Sequence, residues 1–346
     1  MKIAHVVWGM KTGGVETMLV NIINEQVKTE KVKLFIVNDF IDEFVVEKIS
    51  PQCKTYRLNR EPGDKNPLKI LKLNYWLWRY QPDIIHVHSY RVSKLIWGKW
   101  NIVRTIHGMN NIPEEYSKMK ALYAISNVVR DFTEGQGYNS TVIFNGINTS
   151  EMKFRNHEGG NTDVFEIVQV SRLFIKDKGQ DILLRALGKL AEKGISNFQM
   201  HFIGSGPSEE SLRQLTAEIG IADKIIFEGV KSQGFIYQHL CEYDLFVQPS
   251  RCEGFGLTVA EAMAAKLPVL VSDIEGPMEV IGYGKYGMSF KSENVDDLAE
   301  KLRIVLQGGY DYSLVEKAYK HVCEEYDVKN TAQRYLKEYN KVIKNN

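Results

Sequence analysis

Short apolar runs alternate with helix-length amphipathic segments along nearly all of this 346-residue chain, and that alternation does most to narrow its fold. Parallel strands need long crossovers, usually helical, and a strand buried on both faces reads as an almost continuous apolar run. Lys2 to Trp8 is such a run, and after Gly13-Gly14 the residues Val15, Met18, Leu19, Ile22 and Ile23 fall on one helix face. Strands are further predicted at Val32–Val37, Ile84–His88, Ile102–His107, Leu122–Ile125 and Val142–Phe144. Apolar periodicity then stops over residues 151–163, where Arg155-Asn156-His157-Glu158-Gly159-Gly160-Asn161 reads as a polar linker. The alternation restarts with strands at Phe165–Val170, Phe198–Ile203, Lys224–Phe227, Asp244–Gln248 and Pro268–Val271, and Tyr312 to Ile343 reads as two helices. A chain of this length exceeds what one hydrophobic core supports. The expected fold is therefore α/β, with two doubly wound Rossmann-like domains facing each other across a cleft. The boundaries drawn are 1–155 for the N-terminal domain, 156–325 for the C-terminal domain, and 326–346 for a last helix packing back on the N-terminal domain.

Composition removes several other classes. With 44% hydrophobic and 25% charged residues, the chain is an ordinary globular one rather than a disordered or fibrous one. No stretch approaches the roughly 20 apolar residues that a membrane-spanning helix needs. The start, Met1-Lys2-Ile3-Ala4-His5-Val6-Val7-Trp8, meets turn glycines without the apolar core and cleavage site of a signal peptide, so a cytoplasmic location is expected. Cys53, Cys241, Cys252 and Cys323 are scattered, which fits neither a disulfide framework nor a CxxC metal site. The net charge of +1 conceals a basic excess up to residue 150 and an acidic excess beyond it, so the halves are suited to different partners.

Open parallel sheets bind ligands at the carboxyl ends of their strands, so the loops there hold the candidates. Trp8-Gly9-Met10-Lys11-Thr12-Gly13-Gly14 leads from the first strand into a helix, aiming bare N–H groups and the helix dipole at one point. That is an anion site in outline, although a tight turn needing glycine only for its dihedrals accounts for the same residues. After Val170, the segment Ser171-Arg172-Leu173-Phe174-Ile175-Lys176-Asp177-Lys178-Gly179 leads to a helix near Gln180. Arg172 offers a planar fork to phosphate oxygens and Lys178 a compact charge; a solvated basic loop is the alternative. The most informative segment runs from Gln248 to Met263. It holds Glu253 in a glycine-spaced loop and Glu261, eight residues on, about one turn into a helix. The amides of Gly254, Phe255, Gly256, Leu257 and Thr258 line that helix start, where a diphosphate is favoured. Glu261 stands among Val259, Ala260, Ala262 and Met263, which argues against full exposure. His86 and His88 share one face of a strand, yet no further ligand accompanies them in the spacing of a zinc site. No metal is assigned.

The Glu-x7-Glu pattern, its EGFGLTVAEAMA wording and the strand Pro268-Val269-Leu270-Val271 together resemble the retaining GT-B glycosyltransferases of family 4. Gly13-Gly14, the Ser171-Arg172-Leu173 to Lys178-Gly179 loop, Gly204-x-Gly206 and Asn145-Gly146-Ile147 agree in order, so the resemblance spans nearly the whole chain. It implies Arg172 and Lys178 on a donor diphosphate, Glu253 on the transferred sugar, Glu261 on the ribose and Gly14 beside the phosphates. It also places His107, in Thr105-Ile106-His107-Gly108, near the reacting sugar. Glu253 and His107 are thus the catalytic candidates, and the others bind donor. Asn148 stands where many family members have Asp, and Gly108 follows His107 where some have Asp.

The reaction so implied moves a hexose or N-acetylhexosamine from a UDP-sugar to a glycan or lipid-linked acceptor, in capsule, exopolysaccharide or O-antigen synthesis. No cofactor and no nucleic acid enters it. The chain has no Asp-x-Asp triplet, so cationic side chains are expected in place of a metal at the diphosphate. The competing functions are a nucleotide-sugar epimerase of GT-B-like fold and a catalytically silent nucleotide-sugar-binding partner subunit. The segment from Lys54 to Arg104 is strongly basic, and Pro67 to Arg79 mixes bases with aromatic and aliphatic residues. Such a face suits an anionic membrane surface, with Lys65, Lys69 and Lys72 among the bases, and hence peripheral contact at the inner face of the plasma membrane. The competing reading packs Leu68, Leu71, Tyr75 and Trp78 against the first sheet as a buried stripe.

Overall fold

A computed structural model describes residues 1–11, 13–64, 66–109, 116, 119–155 and 164–345. The chain forms two compact units, Met1–Asn148 with Tyr326–Asn346 and Thr149–Glu325. The first holds β1 (Lys2–Val7), β2 (Lys31–Asn38), β3 (Lys54–Arg60), β4 (Ile84–Val87), β5 (Ile102–Ile106), β6 (Ala121–Ala124) and β7 (Thr141–Val142). They make a parallel sheet in the order β3-β2-β1-β4-β5-β6-β7. The second holds β8 (Phe165–Val170), β9 (Phe198–Ile203), β10 (Ile225–Gly229), β11 (Leu245–Gln248), β12 (Val269–Ser272) and β13 (Met288–Phe290). These are also parallel, in the order β10-β9-β8-β11-β12-β13. Strand order reverses beside β1 in one sheet and beside β8 in the other, which opens a crevice at β1/β4 and another at β8/β11.

Two strands, β3 and β13, lack the apolar run that marks the others. Both lie at sheet edges, where one neighbour suffices and polar side chains are tolerated, and β13 is only three residues long. The domain boundary also moves. Residues 149–155, assigned by sequence to the first domain, are tied to the second unit. Lys153 N–H donates to the Tyr237 carbonyl at 2.9 Å, and Arg155 pairs with Asp244 at 2.7 Å. Most of the polar linker, residues 156–161, lies outside the described residues.

Side chains alternate across the first sheet and build a core on each face. Ala4, Val6, Phe35, Ile85 and Val87 pack on one side with Leu73, Leu77 and Tyr80 of the Pro67–Tyr80 helix. That helix buries a different stripe from the one the sequence suggested: Leu68, Leu71, Tyr75 and Trp78 point outward, Leu68 being 67% and Trp78 61% exposed. Ile3, Val7, Leu34, Ile84 and Val103 face the other way, against the Gly14–Gln26 helix and the C-terminal Val328–Lys344 helix, whose Tyr335 and Tyr339 are fully buried.

The C-terminal segment is stitched in through the Asn145-Gly146-Ile147 turn. Ile147 N–H donates to the Tyr326 carbonyl at 2.8 Å, Val328 N–H donates to the Ile147 carbonyl at 2.9 Å, and the Thr331 hydroxyl donates to the Phe144 carbonyl at 3.0 Å. A Cβ on Gly146 would stand 2.6 Å from the Val328 Cα, a backbone atom that cannot swing aside. We expect Gly146→Ala to lower the urea midpoint by the equivalent of about 1–3 kcal/mol, the usual cost of overpacking, and to make the C-terminal helix the first site of limited proteolysis. An unchanged midpoint would show that this close approach is not required.

Candidate active site

In the second unit, Arg172, Lys178 and Glu253 follow the carboxyl ends of β8 and β11, Glu261 lies in the helix after β11, and Gly204 and Gly206 follow β9. After β8 the chain makes a single helical turn, Ile175–Lys178, then reverses through Gly179 at φ 64° into the Gln180–Glu192 helix. The sequence pattern predicts loop across this stretch, without the helical turn. After β11 the chain passes through Glu253 and enters the Leu257–Ala264 helix by way of Gly256 at φ 109°. The Asp177 carbonyl accepts from Arg251 N–H at 2.8 Å and Cys252 N–H at 3.2 Å, which clamps the two loops together. A Cβ on Gly179 would overlap the Pro249 carbonyl oxygen, so this crossing needs glycine on two counts, conformation and space.

The clamp brings Lys178 and Glu253 into an ion pair with both side chains about four-fifths buried. Arg172 is exposed beside the Phe174 ring, 5.5 Å from its centroid, and makes no ion pair among the described residues. Arg251, by contrast, is structural. Its guanidinium grips Asp181 at 2.8 and 3.0 Å, donates to the Ile175 carbonyl at 2.7 Å and reaches Glu293 at 2.9 Å, fixing the one-turn helix that carries Lys178. Glu261 is buried, and desolvation pushes its pKa up to about 7 against the opposing hydrogen bond from Gln233. Sequence reasoning missed Arg251, Gln233 and Gly276. A Cβ on Gly276 would sit 2.5 Å from the Glu253 carbonyl oxygen, so its absence lets another helix support the Glu253 loop. No motif links these residues to the site; only the packing does.

In the first unit, Trp8, Lys11, Glu16, Phe40, His88 and Ser89 line a pocket of about 180 Å³ at the β1/β4 crevice. Gly13 caps the helix in an extended conformation and Gly14 is its first residue; Thr12 lies outside the described residues. The Glu16 carboxylate already reaches back to this helix start, 2.7 Å from where a Gly13 Cβ would be. An anion arriving there would displace it, and burial, by raising the Glu16 pKa, makes its neutralisation easier.

Four histidines cluster at this crevice, His88 among them lining the pocket. His5 lies opposite His86 in the β1/β4 register, and His88 and His107 follow at the ends of β4 and β5. His86 is held on both sides, by the Tyr339 hydroxyl at 2.6 Å and the Thr105 hydroxyl at 2.8 Å. His5 Nε2 lies 2.8 Å from Gln26 Oε1, His5 Nδ1 lies 3.3 Å from His88 Nε2, and His88 Nδ1 lies 3.3 Å from His107 Nε2. His5, His86 and His88 offer nitrogens within 4.8 Å of one another, so the third ligand that sequence spacing lacked is supplied by β1. Both nitrogens of His86 and Nε2 of His5 already have protein partners, however, and hydrogen bonding accounts for the cluster as it stands. Burial lowers the pKa of His5 and of His107 to about 4 and that of His86 and His88 well below the ordinary value, with the Arg104 cation adding to the effect on His88 and His107.

Two doubly wound units with basic, glycine-turned loops at their switch points define the GT-B architecture, and the comparisons agree. The Glycosyltransferase Family 4 model matches residues 12–151 and the model described as Glycosyl transferases group 1 matches residues 150–321. The chain belongs to the family 4 glycosyltransferases. An uncharacterized glycosyltransferase of Methanocaldococcus jannaschii is 32% identical over 57% of this chain and 53% of its own length. The N,N'-diacetylbacillosaminyl-diphospho-undecaprenol alpha-1,3-N-acetylgalactosaminyltransferase of Campylobacter jejuni is 32% identical over 47% of this chain and 46% of its own. The chain thus spans about half the length of these relatives. Among solved structures, that of Anabaena HepE in complex with UDP and glucose superposes with a TM-score of 0.80 at 19% identity, covering 98% of this chain and 99% of that one.

The displaced pKa values act on stability with opposite signs in the two units. For His5, the unfolded chain takes up its proton near 6.5 and the native ring only near 4, so the first unit loses stability as pH falls through that interval. Glu261 keeps its proton to about 7 when folded but loses it near 4.5 when unfolded, so its contribution is present at low pH and lost as pH rises through 7. We expect amide exchange, corrected for intrinsic rates, to accelerate in β1, β4 and β5 between pH 7 and 5.5 while the Leu257–Ala264 helix becomes better protected. A shift of both regions in the same direction would contradict this assignment.

Proposed function

We propose that the chain is a retaining glycosyltransferase that moves a hexose or N-acetylhexosamine from a UDP-sugar to a glycan or lipid-linked acceptor in surface polysaccharide synthesis. The second unit binds the nucleotide sugar and the first serves the acceptor. The observation that carries this reading is the Lys178–Glu253 pair at the switch point of β8 and β11, with Lys178 on the same loop as an exposed Arg172 that makes no ion pair among the described residues. Breaking the bond from the anomeric carbon to the phosphate places negative charge on the diphosphate and positive charge on the sugar ring. Arg172 and Lys178 meet the first charge, while Glu253, once the diphosphate has taken Lys178 from it, orients the sugar and favours the second. Glu261 accepts from the ribose hydroxyls in its ionised form, Gly13 and Gly14 approach the phosphates, and Gly254, Phe255, Gly256, Leu257 and Thr258 present the helix start to them. His107 contacts the donor sugar. With two cations at the diphosphate, transfer requires no metal.

The UDP and glucose bound to Anabaena HepE favour a uridine donor, and the undecaprenol-linked substrate in the name of the Campylobacter relative favours a lipid-linked acceptor. The outward face of the Pro67–Tyr80 helix favours a membrane-surface acceptor as well. Leu68, Leu71, Lys72, Tyr75, Trp78 and Arg79 are all exposed at spacings of three and four residues, an apolar stripe edged with bases. Lys69 is less available, being paired with Asp64 at 2.9 Å, and Lys65 lies outside the described residues. No helix among the described residues is long and apolar enough to cross a membrane.

We expect Glu253→Ala to lower transfer by about 10²–10³-fold, the scale of a lost electrostatic contact, with UDP binding largely intact. Arg172→Ala should weaken UDP binding by about 1.5–3 kcal/mol in calorimetry, the worth of a hydrogen bond to a charged group. Near-normal turnover of the first or unchanged affinity of the second would move the site elsewhere. Activity is expected to persist in EDTA; strict dependence on added Mg²⁺ or Mn²⁺ would rule out the cationic substitute for a metal. Donor incubated without acceptor should keep its sugar configuration, and epimerised nucleotide sugar would reveal the competing activity.

For the membrane face, we expect sedimentation with anionic lipid vesicles at low salt, weakened by added salt and by Lys72→Glu with Arg79→Glu, and abolished by Tyr75→Ser with Trp78→Ser. Failure of the wild-type protein to sediment would exclude this surface as the contact.

A further inference from the structure

We propose that Gln26, His5 and His88 set the tautomer of His107, so that it offers a bare Nδ1 lone pair to a hydroxyl of the bound sugar. The inference rests on the reading of His107 as a sugar contact and adds three positioning residues with no place in any motif above.

The geometry is a single file of hydrogen bonds. Gln26 Oε1 is 2.8 Å from His5 Nε2, His5 Nδ1 is 3.3 Å from His88 Nε2, and His88 Nδ1 is 3.3 Å from His107 Nε2. A neutral imidazole has one donor and one acceptor nitrogen, and a carboxamide oxygen only accepts. His5 must therefore carry its proton on Nε2 to satisfy Gln26, which leaves Nδ1 as an acceptor. His88 then donates from Nε2 and accepts at Nδ1, and His107 donates from Nε2. Each link holds one proton, so the three rings keep this order together or reverse it together. At the other end of the file, His107 Nδ1 is buried and has no partner. Left so, it carries the cost of an unmet acceptor, which a ligand hydroxyl removes.

The rings stay neutral because they are buried and because the Arg104 cation opposes protonation of His88 and His107. The far end of the file is anchored in secondary structure. Gln26 is fully buried at the last position of the Gly14–Gln26 helix, and His86, packed beside His88, is held by Tyr339 and Thr105 and takes no part in the relay. A helix on the opposite end of the strand from the ligand thus decides which nitrogen the ligand meets.

The test is to label the ring nitrogens of histidine with ¹⁵N and read the tautomers by NMR at neutral pH, using His107→Ala to assign that ring. The expected result is protonation at Nε2 in His5, His88 and His107. Protonation of His107 at Nδ1, or stoichiometric metal on His5 and His88 in elemental analysis, would overturn the relay. In Gln26→Leu, of similar volume, His107 should show a mixture of tautomers. Its kcat/KM for the sugar donor should fall about tenfold, the value of one hydrogen bond, with UDP affinity unchanged. A pure Nε2–H tautomer in that variant would also overturn the relay. Undiminished transfer by His107→Ala would remove the sugar contact on which it rests, whereas loss of transfer there with the wrong wild-type tautomer would sink the relay alone.

Discussion

The second unit depends on one crossing of backbones. The turn after β8 and the strand exit after β11 touch where Gly179 meets the Pro249 carbonyl, and the Asp177 carbonyl takes two N–H bonds from Arg251 and Cys252. These contacts involve no charge and no side chain that a ligand would touch. They nevertheless decide where Lys178 and Glu253 stand, because each is within one or two residues of the clamp. A similar crossing lies at Gly204 and Gly206, where a Cβ would overlap the carbonyl oxygens of Ser171 and Leu173 and so crowd the loop that carries Arg172. Glycine at these positions is an architectural requirement before it is a catalytic one.

The first unit solves a different problem, that of burying polar rings in the middle of a parallel sheet. Four histidines on one sheet face are acceptable only because nearly every nitrogen has a partner, from Gln26 at one end to the tyrosine and threonine hydroxyls around His86. One of those partners, Tyr339, comes from the last helix of the chain, and Tyr335 of the same helix bonds to the Thr105 hydroxyl at 2.8 Å, which in turn meets His86. The C-terminal segment is therefore part of the polar network of the first unit as well as of its apolar core. The left-over acceptor, His107 Nδ1, lies just past the carboxyl end of β5.

The Pro67–Tyr80 helix illustrates how amphipathicity misleads when both faces are partly apolar. Its fourteen residues contain two stripes of comparable hydrophobicity, and the sheet takes Leu73, Leu77 and Tyr80. The stripe left outside, Leu68, Leu71, Tyr75 and Trp78, stays exposed next to Lys72 and Arg79.

What the residues alone determined was the class of fold and the identity of the loops. Apolar period, glycine spacing and the order of motifs are local properties, and they located the buried strands, the basic loop from Ser171 to Gly179 and the Glu253 to Glu261 segment without reference to tertiary contacts. Edge strands β3 and β13 escaped because an edge does not require an apolar run. Tertiary structure alone decided the pairings: Lys178 with Glu253, Arg251 with Asp181, His5 with His88, and the C-terminal helix with the first sheet. These join residues separated by up to 253 positions, as His86 and Tyr339 are, and are set by sheet register and close backbone approach. Neither leaves a trace in the spacing of residues along the chain, because a register is a relation between strands and belongs to no one of them.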